Sequence, residues 1–125
     1  MDQRRFHRVT FSAPSDLMHH GMTYRGRLDN ISLRGAMISA DECIMISPGE
    51  TCTLSVTPCP GAAPIVLTAE VVHCFFSMVG VKFVAFGEGA ESRLHALMRD
   101  ISGEPDKLRK ELEVIQQHKA GQREG

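Results

Sequence analysis

The sequence predicts a mainly β protein: six antiparallel strands forming a barrel or a sandwich, followed by C-terminal helices. Three observations point there. Apolar and polar residues alternate with period two in short runs from Val9 to Phe86. Turn signals separate those runs, and no crossover helix interrupts them, which excludes a parallel sheet. Beyond Gly87 the apolar period lengthens to that of a helix.

The elements follow in order. Residues 1–8 read as a polar arm in which Arg4, Arg5 and Arg8 outweigh Asp2. Val9 to Pro14 is β-like, with Val9 and Phe11 on one face. His19-His20-Gly21 is a turn. Met22 to Leu28 alternates Met22, Tyr24, Gly26 and Leu28 with Thr23, Arg25 and Arg27, as a half-buried strand does. Asn30 to Gly35 reads as a tight turn, and Ala36 to Ser39 as a short strand. Residues 41–50 form a loop closed by Pro48-Gly49-Glu50. Cys52, Leu54 and Val56 then face one way, against Thr51, Thr53, Ser55 and Thr57. A Pro/Gly/Ala loop from Pro58 to Pro64 leads to strands Ile65 to Phe76 and Met78 to Phe86. On the last of these, Val79, Val81, Phe83 and Ala85 are expected to share a face.

Ala90, Leu94, Leu97, Met98 and Ile101 make one helical stripe, expected to cover an open end or face of the barrel. Pro105 opens a second, charged helix with Leu108, Leu112 and Ile115 on one side. That stripe needs a partner, either its own domain or a second copy in a homodimer. The expected organisation is therefore an arm at 1–8, a barrel with its packing helix at 9–103, and a charged helix with a frayed tail at 104–125.

Composition narrows the function. The chain has 125 residues, room for one domain and an appendage. Its formal net charge of −1 gives no bulk attraction to nucleic acid or anionic membrane, so anion binding must come from a local patch. No apolar run reaches membrane-spanning length, and no apolar stretch of the kind a secretory leader carries stands behind the charges of Met-Asp-Gln-Arg-Arg, so none is expected. Cys43, Cys52, Cys59 and Cys74 show no metal-ligand or disulfide rhythm, which favours reduced, buried thiols in a cytoplasmic protein. The six histidines lack a mutual ligand spacing, so no metal is expected. No nucleophile elbow surrounds Ser32 and no carboxylate pairing is implied, so the chain is not expected to be an enzyme.

Two segments carry chemistry. Arg4-Arg5-Phe6-His7-Arg8 sets three guanidinium groups on a short arm, where they can fork onto a guanine edge or onto phosphate oxygens. Asn30-Ile31-Ser32-Leu33-Arg34-Gly35 offers a side-chain amide, a hydroxyl and a glycine suited to a positive φ or a close ligand approach. Arg25, Arg27 and Arg34 add a second positive fringe.

Together these segments resemble the PilZ family of bacterial cyclic di-GMP receptors, whose signature is RxxxR, often RRxxR, followed by [D/N]xSxxG. The similarity extends through Pro48-Gly49-Glu50 and Val79-Gly80-Val81-Lys82-Phe83, and covers roughly residues 3–100. The resemblance implies a six-stranded barrel that binds cyclic di-GMP. Arg4 and Arg8 would contact guanine and phosphate, Arg5 would add a guanidinium, and Asn30, Ser32 and Gly35 would recognise the base and shape the pocket. It also implies a downstream protein partner and, with the arm starting near Met1, a stand-alone receptor. Two rivals remain: a PilZ-like adaptor that binds protein instead of nucleotide, and a small nucleic-acid-binding barrel, which would want more exposed aromatics than Tyr24 provides.

Overall fold

A computed structural model of the chain describes the backbone of residues 8–124, with side chains through residue 116. The alternating runs become β1 (Val9–His19), β2 (Met22–Ile31), β3 (Gly35–Ala40), β4 (Thr51–Val56), β5 (Ile65–Phe75) and β6 (Met78–Phe86). They pair antiparallel in the order β1-β2-β3-β6-β5-β4, and β4 returns to β1 to close a barrel. Closure leaves no unpaired edge, which a sandwich would expose.

Every strand contributes to the centre: Leu17, Leu28, Ile38, Leu54, Leu67 and Val79, one from each, are all essentially inaccessible. A buried side chain of this size contributes about 1.5–3 kcal/mol. The turn at His20-Gly21 has positive φ at both residues, 49° and 82°. That is the twist a two-residue hairpin needs.

Three local expectations are corrected. The first strand does not stop at Pro14 but runs to His19. Pro14 lacks an N–H to donate, yet its carbonyl accepts from Thr57 N at 3.0 Å, and a register shift lies just before it, between Thr10 and Ala13. On β6, Ala85 does not share the inward face. Ala69 pairs Phe83 while Thr68 pairs Ala85, so Val84 is an extra residue; Phe86 packs on the core and Ala85 is exposed. Of the four thiols, Cys52 is buried and Cys74 half-buried, but Cys43 and Cys59 are exposed. Burial pushes the Cys52 thiol up to about 11, which keeps it protonated.

Helix α1 (Ala90–Ile101) buries Ala90, Leu94, Leu97 and Met98 and packs across β1 and β5, the strands either side of β4. Arg93 anchors it to the loop before β5 by donating to the carbonyls of Ala63 and Pro64, at 2.6 and 3.0 Å. Helix α2 (Pro105–Glu124) touches α1, and its Leu108 and Ile115 are buried in the same core. The stripe that asked for a partner finds one within its own chain. No helix among the described residues is long and apolar enough to cross a membrane.

Gly26 and Gly35 sit where neighbouring strands pass too close for a side chain. A Cβ at Gly26 would lie 2.1 Å from the Ser39 carbonyl oxygen, and one at Gly35 would lie 2.4 Å from that of Val81. Backbone on both sides leaves little room to relax. Gly35→Ala is predicted to lose about 1–3 kcal/mol of stability, read as an earlier midpoint in urea unfolding; an unchanged midpoint would contradict this packing.

Candidate functional site

The site begins with strand register. Val9 pairs Ile31 and Thr10 pairs Asn30, so the chain entering β1 lies beside the end of β2. Arg8, exposed and one residue before β1, donates from Nη1 to Asn30 Oδ1 at 2.9 Å. The two motif segments, 22 residues apart in sequence, therefore meet through one side-chain contact. Arg4 and Arg5 lie in residues 1–7, outside the described residues.

Asn30 reaches the outer surface because β2 is irregular. Leu28 pairs Ile38 but Asn30 pairs Met37, leaving Asp29 as an extra residue. Its carboxylate accepts from the Ser39 hydroxyl, which holds the bulge across to β3. Leu28 and Ile31 are then both buried while Asn30 stays half-exposed.

Ser32 and Gly35 bound the turn after β2, and both are engaged within the fold. Ser32 is 3% exposed, and its Oγ accepts from the backbone N–H groups of Arg34 and Gly35, both at 3.1 Å. It also donates to the Gly35 carbonyl at 3.3 Å, alongside the Ser32 N–H at 2.8 Å. The hydroxyl is thus committed to shaping the turn. Gly35 has no positive φ, and its missing side chain admits the Val81 carbonyl. Arg34 in the turn, and Arg25 and Arg27 on β2, are exposed.

Register adds residues that sequence reasoning did not find. Asn30 pairs Met37, Met37 pairs Gly80, and Gly80 pairs His73, forming a row from β2 across β3 and β6 to β5. An added Cβ at Gly80 would fall within 2.5–3.0 Å of the His73 ring, so the imidazole lies flat over the bare backbone. One row away, Gly35 pairs Lys82, whose ammonium lies 3.8 Å from Glu70. No short-range pattern announces that β3 and β6 are neighbours.

Arg8, Asn30 and the Ser32 turn with its exposed Arg34 make a surface rich in hydrogen-bond donors, with Arg27 and Arg25 further back along β2. Such a surface suits an anion with acceptor edges.

Comparison with known proteins agrees with this architecture. A model of the PilZ domain matches residues 2–102. No curated protein matches the chain. Among solved structures, the PilZ domain of Escherichia coli YcgR, determined with c-di-GMP, superposes with a TM-score of 0.65 at 14% identity, covering 90% of this chain and 98% of that one. Bacillus subtilis MotI/DgrA, an inhibitor of motility, gives 0.64 at 16% identity over 90% of this chain, which spans only 53% of that protein. The PilZ domain of CeSA from a cellulose-synthesizing bacterium gives 0.55 at 12% identity, covering 76% of this chain and 94% of the domain. At such identities the structures speak to the fold, and the family match speaks to descent. With both motifs in order along a closed barrel of six strands, the chain belongs to the PilZ domain family.

Proposed function

We propose that the protein is a cyclic di-GMP receptor of the cytoplasm, acting as a binding module and not as an enzyme. The observation that carries this reading is the Arg8–Asn30 hydrogen bond, which joins the two motif segments at one edge of the barrel. The YcgR domain determined with c-di-GMP supports the ligand class.

In this reading Arg4, Arg5 and Arg8 bind the guanine edges and the two phosphates. A guanidinium carries five N–H donors, so a bond to Asn30 is compatible with others to a ligand. Asn30 faces the base from β2. Ser32 and Gly35 act indirectly: the hydroxyl sets the turn, and the glycine lets β3 approach β6 closely enough to hold that turn in place. The arm's guanidinium groups hold the ligand through charge-assisted hydrogen bonds of about 1.5–3 kcal/mol each, which offset the entropy lost on association. A downstream protein then reads the altered surface.

Isothermal titration of the full chain with cyclic di-GMP tests this. Binding at micromolar or tighter affinity is expected. Arg4→Ala and Arg8→Ala should each weaken it about 10–100-fold, the loss of one charge-assisted bond. Unchanged affinity in both variants would refute the assigned site, and no binding by the wild type would favour the protein adaptor.

Stability separates the two kinds of site residue. Arg8 is exposed, so Arg8→Ala should leave the unfolding free energy within about 0.5 kcal/mol of wild type. Ser32→Ala removes three bonds to a buried turn and should lower it by about 1–3 kcal/mol. Thermal unfolding monitored by circular dichroism checks both; equal losses would contradict the division of roles.

A further inference from the structure

At the end of β1 remote from Arg8, two histidines and a glutamate come together for reasons unrelated to the dinucleotide. We propose that His19, His20 and Glu50 form a binding site for a divalent transition-metal ion, with Zn2+ as the best fit.

Adjacent residues on a strand ordinarily point to opposite faces, which is why His19-His20 offers no ligand pair by its spacing. Here His20 leaves the strand with φ 49°, and its ring returns to the side of His19. The two imidazoles stack with centroids 3.9 Å apart and planes 16° from parallel. Glu50, immediately before β4, reaches the same place from across the barrel wall, its Oε1 2.8 Å from His19 Nε2. One ligand atom from each residue lies within 4.8 Å of the other two.

Zinc holds nitrogen and oxygen ligands at about 2.0–2.2 Å in a tetrahedron, which sets the ligand atoms roughly 3.3–3.6 Å apart. Metal entry therefore widens the His19–Glu50 contact slightly and draws in His20, whose exposed ring has room to rotate off the stack. The other two groups are already held. The His19 side chain is only 10% exposed, and Glu50 Oε2 accepts from Ser47 N at 3.2 Å.

Two imidazoles and one carboxylate suit Zn2+, Cu2+ or Ni2+, whereas Ca2+ and Mg2+ require oxygen ligands. Three protein ligands leave the fourth position to water on the solvent side. The ion would staple the β1–β2 turn to the start of β4, a seam where Met18 pairs Thr53. The full length of β1, at most about 36 Å at 3.3 Å per residue, separates it from Arg8.

The test is titration of the full chain with ZnCl2, in a Cys43→Ser, Cys59→Ser background that removes the exposed thiols as competing ligands. One equivalent should bind and raise Tm by several degrees. His20→Ala and Glu50→Gln should each weaken binding at least ~10-fold. His95→Ala, on α1, whose Arg93 is anchored to the loop before β5 at the opposite end of β4 from Glu50, should bind as the background does. His20→Ala should also keep the metal-free Tm, so lost binding cannot be blamed on unfolding. With Co2+ in place of Zn2+, visible d–d bands should appear in the background and vanish in His20→Ala. No saturable Zn2+ binding, or binding that survives both His20→Ala and Glu50→Gln, would overturn the proposal.

Discussion

The pairing register of β1 and β2 is the constraint on which the rest depends. Because Val9 lies opposite Ile31 and Thr10 opposite Asn30, the residue before β1 stands beside the last turn of β2. A slip of one position would reverse every side chain of β1, moving Leu17 out of the core and Arg8 away from Asn30. The burial that fixes the barrel thus also fixes the site. Leu17 and Leu28 are fully inaccessible, and they hold the two strands in the one register that brings the motifs together.

Irregularity in β2 then does what regular alternation cannot. Counting on from buried Leu28, strict period two would turn Asn30 inward and Ile31 outward. That would bury a side-chain amide, at a cost of about 1–3 kcal/mol or more without partners, and expose an apolar side chain. The extra residue Asp29, tied to Ser39, resets the phase so that Ile31 is buried and Asn30 faces out. A bulge that re-aims a single side chain at a binding surface is a recurrent use of this feature. The turn that follows is held from within by the Ser32 hydroxyl, and the positive charge around it comes from exposed arginines on a nearly neutral chain.

Much of this was legible in the residues, and the limits have physical causes. Alternation located six strands because inward residues such as Leu54 and Val56 are apolar and their neighbours are not. It failed at Pro14, where a turn-favouring residue sits inside a strand, and at Ala85, where a bulge shifts the phase. The β3–β6 pairing joins residues 39 to 47 positions apart, for example Gly35 and Lys82, and no local pattern encodes it. The motif identified Ser32 and Gly35 as important, yet their chemistry points into the fold: one satisfies a turn, the other accommodates a carbonyl. The histidines show no ligand spacing along the chain, and only the left-handed turn at His20 and the entry to β4 bring His19, His20 and Glu50 together.

The central claim is that Arg8 and Asn30 work as one unit because β-sheet register makes them touch. A double-mutant cycle measures this directly: cyclic di-GMP affinity for the wild type, Arg8→Ala, Asn30→Ala and the double variant. Residues in contact at a shared ligand should show a coupling of about 0.5–3 kcal/mol, with the second substitution costing less than it does alone. Strictly additive losses, or no loss from Asn30→Ala, would mean that the two segments meet in the fold without sharing a ligand.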